Sequence, residues 1–217
     1  MKKASIFLFP ILALLCSCED VGNDYRYPSV ITDYTCIATN ADGAPELLLI
    51  DNGHTYPIEF TDEYRNTYNQ TPSYKADTTY RVISIYELKE DSIAHIYSME
   101  KTISHIPAPL HDGERLFQDP VYLQSCWCSG NYLNIVIELK ALDGKHHIGF
   151  VDTTPEGMQG KEFTFFHNAN NDTESYRQKL YASIPMAPFE SDLQQGDTLR
   201  FVINTYDKGI ILQEYVM

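Results

Sequence analysis

Leu47-Leu48-Leu49-Ile50-Asp51-Asn52-Gly53-His54-Thr55-Tyr56-Pro57-Ile58-Glu59-Phe60 is the stretch on which the fold turns. An apolar run, an Asn-Gly pair and a second run alternating apolar with polar residues make the strongest short signal for a β-hairpin. Asn and Gly tolerate the positive φ angles that a tight turn between twisted strands requires. The spacing predicts a strand over 47–51, a type I′ turn at Asn52-Gly53 and a strand over 55–60.

The same two-residue period recurs along the chain. Leu133, Ile135, Ile137 and Leu139 alternate with Asn134, Val136 and Glu138, and Leu199, Phe201 and Ile203 alternate with Arg200, Val202 and Asn204. Side chains on a strand point alternately to opposite faces, so each apolar set reads as one core-facing side. Asp143-Gly144 and Lys208-Gly209 mark further hairpins. Helical period is scarce. Thr61–Gln70 carries Tyr64 and Tyr68 one turn apart behind a Thr-Asp-Glu start, and Thr173–Leu180 fits either a helix or a strand. The fold class is all-β.

Ile106-Pro107-Ala108-Pro109-Leu110 divides the chain, because alternating prolines remove ladder donors and stiffen a connector. Residues 28–106 read as strands near 31–40, 45–51 and 54–60, a helix, then strands near 79–88 and 93–101. That is the order of an OB-like five-stranded barrel. Residues 111–217 hold strands near 121–127, 131–140, 146–152, 161–166, 197–206 and 209–216, which suggest a C-terminal β-sandwich.

The N-terminus reads as an address. Lys2 and Lys3 precede an uncharged apolar run from Ala4 to Leu15. Twelve helical residues would rise only about 18 Å against a hydrocarbon core of about 30 Å, too short to span comfortably. Leu15-Cys16-Ser17-Cys18 resembles the lipobox of bacterial lipoproteins. The resemblance implies a signal peptide over 1–17, a diacylglyceryl group on Cys18 and acylation of the new amino group. Several acyl chains give the lasting membrane attachment that one chain does not. Residues 18–27, with Glu19, Asp20 and Asp24, read as an acidic tether, and outer-membrane attachment on either the periplasmic face or the cell surface is expected.

Composition excludes other classes. With 30 acidic residues against 16 basic ones, a net charge of -14 and a pI near 4.7, the chain lacks the clustered cations that nucleic acid demands. Cys36, Cys126 and Cys128 sit in an exported, oxidising setting that permits one disulfide and leaves one thiol over; buried apolar thiols are the simpler expectation. The seven histidines form no metal motif, and His146 and His147 should face opposite sides of a strand. Asn168, Asn170, Asp172 and Glu174 alternate like the oxygen ligands of a calcium loop, but Thr173 stands where a turn glycine belongs. Neither Gly-x-Ser-x-Gly nor a phosphate-binding glycine loop is present. No metal, cofactor or catalytic residue is expected. Tyr56, Tyr64, Tyr68, Tyr74, Tyr80 and Tyr86 offer either a stacking platform for sugars or ordinary strand packing.

Tyr27-Pro28-Ser29-Val30, Leu47–Asp51-Asn52-Gly53, Asp119-Pro120-Val121, Trp127, Ser129-Gly130-Asn131-Tyr132-Leu133-Asn134 and His167-Asn168-Ala169-Asn170 together resemble the NigD-like lipoproteins. The resemblance covers nearly the whole chain after the leader. It implies an OB-like domain and a β-sandwich behind a lipobox, and it carries over no catalytic residues; Cys126 and Cys128 depart from the family pattern. The expectation is a non-enzymatic, membrane-tethered module that binds a peptide, glycan or protein. The alternatives are an immunity-like factor against a bacteriocin, or a hydrolase whose site assembles only in the fold.

Overall fold

The structure, a computed structural model, describes residues 29–68, 74–89 and 92–217. The leader, Cys18 and the acidic tether lie outside the described residues. Among those described, no helix is long and apolar enough to cross a membrane.

The first body contains β1 (Ile31–Thr39), β2 (Pro45–Ile50), β3 (Thr55–Phe60), α1 (Asp62–Tyr68), β4 (Thr79–Leu88) and β5 (Ala94–Lys101). The strands close into a barrel in the order β1-β2-β3-β5-β4, with β3 and β5 parallel and the other pairs antiparallel. Closure removes the free edges that an open five-stranded sheet would expose. Ile37, Leu48, Val82 and Ile96 fill the interior with no exposed surface. Thr61 accepts the Tyr64 N–H on its hydroxyl at 3.2 Å and so starts α1. The helix then delivers Tyr64 into the core, stacked on Phe60 at 4.5 Å between ring centres.

The second body contains β6 (Ile103–Ser104), β7 (Tyr122–Ser129), β8 (Tyr132–Ala141), β9 (His147–Asp152), β10 (Lys161–Asn168), β11 (Tyr176–Pro185), β12 (Thr198–Thr205) and β13 (Gly209–Val216). Two four-stranded sheets, β13-β12-β10-β9 and β6-β11-β8-β7, face each other. The alternating sets Leu133, Ile135, Ile137, Leu139 and Leu199, Phe201, Ile203 all point into the core, joined by Phe163 and Phe165 of β10. An all-β chain with a barrel and a sandwich is therefore what the sequence forms.

Four local readings change. Gly53 has φ of +90° while Asn52 keeps negative φ. Gly53 N–H reaches the Ile50 carbonyl and Ile50 N–H the His54 carbonyl. The turn is therefore type I followed by a left-handed glycine, which leads into a bulge. Asp143-Gly144 is a crossover, since β8 and β9 belong to different sheets. The ambiguous 173–180 segment is mostly the start of β11, held in register against all of β8. The proline segment does not stand free: Ala108 bridges to Val151, and its carbonyl accepts the Asp152 N–H at 3.1 Å.

The two bodies meet along a face that alternation alone would give to solvent. Asn134 and Ser183, partners in the β8–β11 register, have no exposed surface although they point away from the sandwich core. The barrel covers them. Tyr34 of β1 donates its hydroxyl to the Ile135 carbonyl at 2.7 Å, and its ring meets Trp127 and Tyr181 edge-on at 5.3 and 6.0 Å. Among the described residues the barrel core holds nine buried apolar side chains against sixteen in the sandwich, so the smaller body gains more from the shared face.

Gly130 sets the approach. It occupies φ of +53° in the β7–β8 turn, and a Cβ there would lie 2.2 Å from Cγ of Asp51 across the seam. Gly130→Ala combines left-handed strain with a clash against a held carboxylate, and should cost about 1–3 kcal/mol. Urea unfolding of the full chain checks this, and a change below about 0.5 kcal/mol would show that the seam is loosely packed.

Candidate functional site

Arg81 of β4 organises the seam. Its side chain is almost wholly buried. Nη1 and Nη2 donate to Oδ1 and Oδ2 of Asp51 at 2.5 and 2.7 Å, a fork-to-fork pair that fixes both side chains. Nη2 also donates to Oδ1 of Asn134 at 3.0 Å. From the sandwich side, Ser129 donates to Asp51 at 2.5 Å, Asn134 Nδ2 donates to Ser129, and Ser183 donates to Asn134. The guanidinium lies 4.1 Å from the centre of the Tyr132 ring. Burial opposes the charge on Asp51, but the Arg81 and Ser129 hydrogen bonds outweigh it and hold the carboxyl below its ordinary range. Burial likewise works against the Arg81 cation, and Asp51 more than restores it.

Two hollows open on either side of Tyr132 and share it and Thr79 as walls. One, of about 370 Å³, is bordered by Cys36, Asp51, His54 and Gly130. The other, of about 270 Å³, is bordered by Tyr80, Arg81, Lys101 and Ser104. Clefts at domain interfaces are common ligand seats, because two rigid bodies position groups that neither could bring together alone. Burial, then the Cys36 contact, pushes the Tyr132 hydroxyl up to about 12, so it stays protonated at neutral pH.

The cleft offers little to nucleophilic chemistry. The Cys36 thiol donates to the Tyr132 hydroxyl at 3.5 Å and accepts from Arg81 at 3.6 Å, while His54 pairs with the Tyr56 hydroxyl. Thiol and imidazole thus have separate partners, and no nucleophile–base contact forms. All three described cysteines are free, with Cys36 buried, Cys126 half-buried and Cys128 exposed. Burial raises the Cys126 thiol to about 12 and raises Cys128 as well. Cys128 is therefore not the buried apolar thiol expected.

The remaining sequence candidates fall elsewhere. Tyr64, Tyr74 and Tyr86 are core residues, which removes the six-tyrosine platform; the Tyr68 side chain lies outside the described residues. Three of the four candidate ligands of the calcium-like loop already have protein partners. Asn168 accepts the Asn170 N–H, Glu174 takes Lys140 and Tyr206, and Asp172 takes the N–H groups of Leu142 and Thr173. Among the described residues no group of three His, Cys, Asp or Glu side chains could hold a metal.

Sequence reading missed a buried series of side chains at the end of the sandwich. His167 Nδ1 meets the Asp119 carbonyl at 2.9 Å, His167 Nε2 meets His146 Nδ1 at 2.8 Å, and His146 Nε2 meets Asp172 at 3.1 Å. All four ring nitrogens thus have a hydrogen-bond partner. Burial is the main cause that holds His167 below its ordinary range; the Asp119 carbonyl opposes it and His146 adds to it. Backbone N–H groups, Leu142 first, with His146, hold Asp172 near 2. The sequence carries no signal for this series: His146 comes near His167 through the β9–β10 register, in which Asn168 pairs with His147.

The sandwich matches the family model of the NigD-like C-terminal beta sandwich domain over residues 106–216, and the chain belongs to the NigD-like family. A solved NigD-like immunity protein from Bacteroides caccae ATCC 43185 superposes with a TM-score of 0.70 at 28% identity, over 88% of this chain and 99% of the other. A candidate toxin-related protein from Parabacteroides distasonis ATCC 8503 gives 0.63 at 16% identity, over 87% and 93%. A candidate lipoprotein from Bacteroides fragilis NCTC 9343 gives 0.54 at 9%, over 86% and 96%. No curated protein matches the chain. At 16% and 9% identity the last two similarities bear on the fold alone.

The His167 series has a pH signature of definite sign. Above its ordinary value near 6.5, folded and unfolded His167 are both neutral and nothing is lost. As pH falls through that value toward the lower native one, the unfolded chain takes up a proton that the native chain refuses, and stability drops. The wild type should therefore lose stability between pH 7 and pH 5 more steeply than His167→Gln does. Equal slopes in urea unfolding would exclude the assignment.

Proposed function

We propose that the chain is a non-catalytic cell-envelope protein, anchored through lipid on Cys18, that holds a peptide, glycan or protein ligand in the cleft between barrel and sandwich. The observation that carries the binding reading is the pair of open hollows around Tyr132, set over a rigid and internally neutralised Arg81–Asp51 pair. Such a base offers shape and hydrogen-bond donors without a reactive centre, which suits capture better than turnover. The leader and the Leu15–Cys18 motif support the anchor and an outer-membrane address, on the periplasmic face or the cell surface. Tethering raises the effective concentration of a modest binder at the membrane.

A second reading follows from the B. caccae relative, described as an immunity protein at 28% identity. In that reading the ligand is a protein toxin, and the chain acts by occupying it.

Cell fractionation tests the anchor: Cys18→Ala should move the protein from the membrane to the soluble fraction, and continued sedimentation with membranes would contradict it. The cleft is tested by probing mixed peptide and glycan arrays with the mature chain and with Thr79→Trp, which fills the shared wall of both hollows. Thr79→Trp should lose the wild-type signals while keeping its circular dichroism; an unchanged array pattern would place the ligand elsewhere.

A further inference from the structure

We propose that the half of the seam cleft bordered by Lys101 is a carboxylate seat, which gives the ligand of the binding reading an anionic end. This rests on that reading and narrows it. The chain is strongly acidic, yet no Asp or Glu borders this hollow, whereas Arg81 and Lys101 both do. The two cations differ. Arg81 is neutralised by Asp51, so it forms a wall of no net charge. Lys101 has no carboxylate within 4.0 Å among the described residues, unlike Lys140, Lys161 and Arg200. Its ammonium lies 4.2 and 4.5 Å from the ring centres of Tyr74 and Tyr80. Those ring faces hold the ammonium in place while leaving its three N–H donors without a countercharge.

Further donors border the same hollow. The Tyr80 hydroxyl accepts the Lys75 N–H at 2.8 Å, which leaves its own hydrogen to give. Ser104 approaches from β6 of the sandwich sheet, so an occupant would touch both bodies. The buried Nε–H of Arg81, in the same wall, has no partner among the described residues. One uncompensated cation matches a single negative charge. A phosphate dianion would keep a second charge in a partly desolvated hollow, which is costly. The overall negative field of the chain repels anions at a distance, but screening confines it to about 8 Å at physiological salt, and the hollow itself is bordered by Lys101 and by no carboxylate. A peptide C-terminus and a uronic acid share this chemistry.

The test titrates the isotope-labelled mature chain in detergent micelles and follows the amide resonances of Thr102, Ser104 and Tyr132. The probes are N-acetyl-alanyl-alanine, its C-terminal amide, galacturonate and galactose, in carboxylate-free buffer. The acids should shift these resonances saturably, and the amide and galactose should not. Whichever acid saturates at the lower concentration identifies the source. Lys101→Met should weaken acid binding by about tenfold or more, as expected for loss of a charge-assisted contact, and Lys101→Arg should restore most of it. Lys101 is exposed, so both variants should fold. Equal shifts from acid and amide, unchanged binding by Lys101→Met, or no saturation by either acid would overturn the proposal. If Thr79→Trp abolishes array binding while Lys101→Met leaves it intact, the carboxylate seat falls and the cleft remains.

Discussion

One buried guanidinium governs how this protein is put together. Arg81 sits on a barrel strand but directs its hydrogen bonds to the border: two to Asp51 and one to the Cys36 thiol of the barrel, and one to Asn134 of the sandwich. A buried charge is tolerated only where a partner and further hydrogen bonds replace water. Ser129, placed by the β7–β8 turn, donates to the second oxygen of Asp51 and so ties the pair to the sandwich. The cost of leaving any member unpaired therefore couples the two bodies. Directional contacts of this kind fix a geometry, while the Tyr34–Trp127 and Tyr34–Tyr181 ring contacts pack beside them.

That coupling explains where the cleft lies. A barrel and a sandwich are convex, and two convex bodies that meet along a limited face leave hollows at its margin. Here the join is the Arg81 network with Tyr132 laid over it, and the hollows flank Tyr132. One side is lined by a thiol, an imidazole and an already neutralised carboxylate; the other carries the single uncompensated ammonium of Lys101.

Much of this was legible in the sequence, and the failures have physical causes. Alternation located the core faces of β8 and β12, since one-sided burial writes a two-residue period. The strand–hairpin–helix–strand–strand order likewise reported the barrel. The period could not report that Asn134 and Ser183 are buried on the opposite face, because a polar residue facing another domain reads like one facing water. The β11 strand was obscured because its first half, Tyr176 to Lys179, is exposed and polar and its pairing with β8 spans a long sequence separation. The motifs by which the chain resembles its family, at Asp51–Gly53, Ser129–Asn134, Asp119 and His167, are tie points of the scaffold. They reveal ancestry and architecture and say little about the ligand, while Lys101 belongs to no motif at all.

Trp127 is the only tryptophan in the chain, and it packs on Tyr34 across the seam, so its fluorescence reports whether the two bodies are engaged. Urea unfolding of the full chain, followed by Trp127 fluorescence and far-ultraviolet circular dichroism on the same samples, tests the coupling most directly. If the seam is held by the Arg81 network, both signals should change together in a single transition, because the seam opens only when a body unfolds. A fluorescence transition at clearly lower urea than the loss of β-structure would show two independently docked bodies and contradict the account.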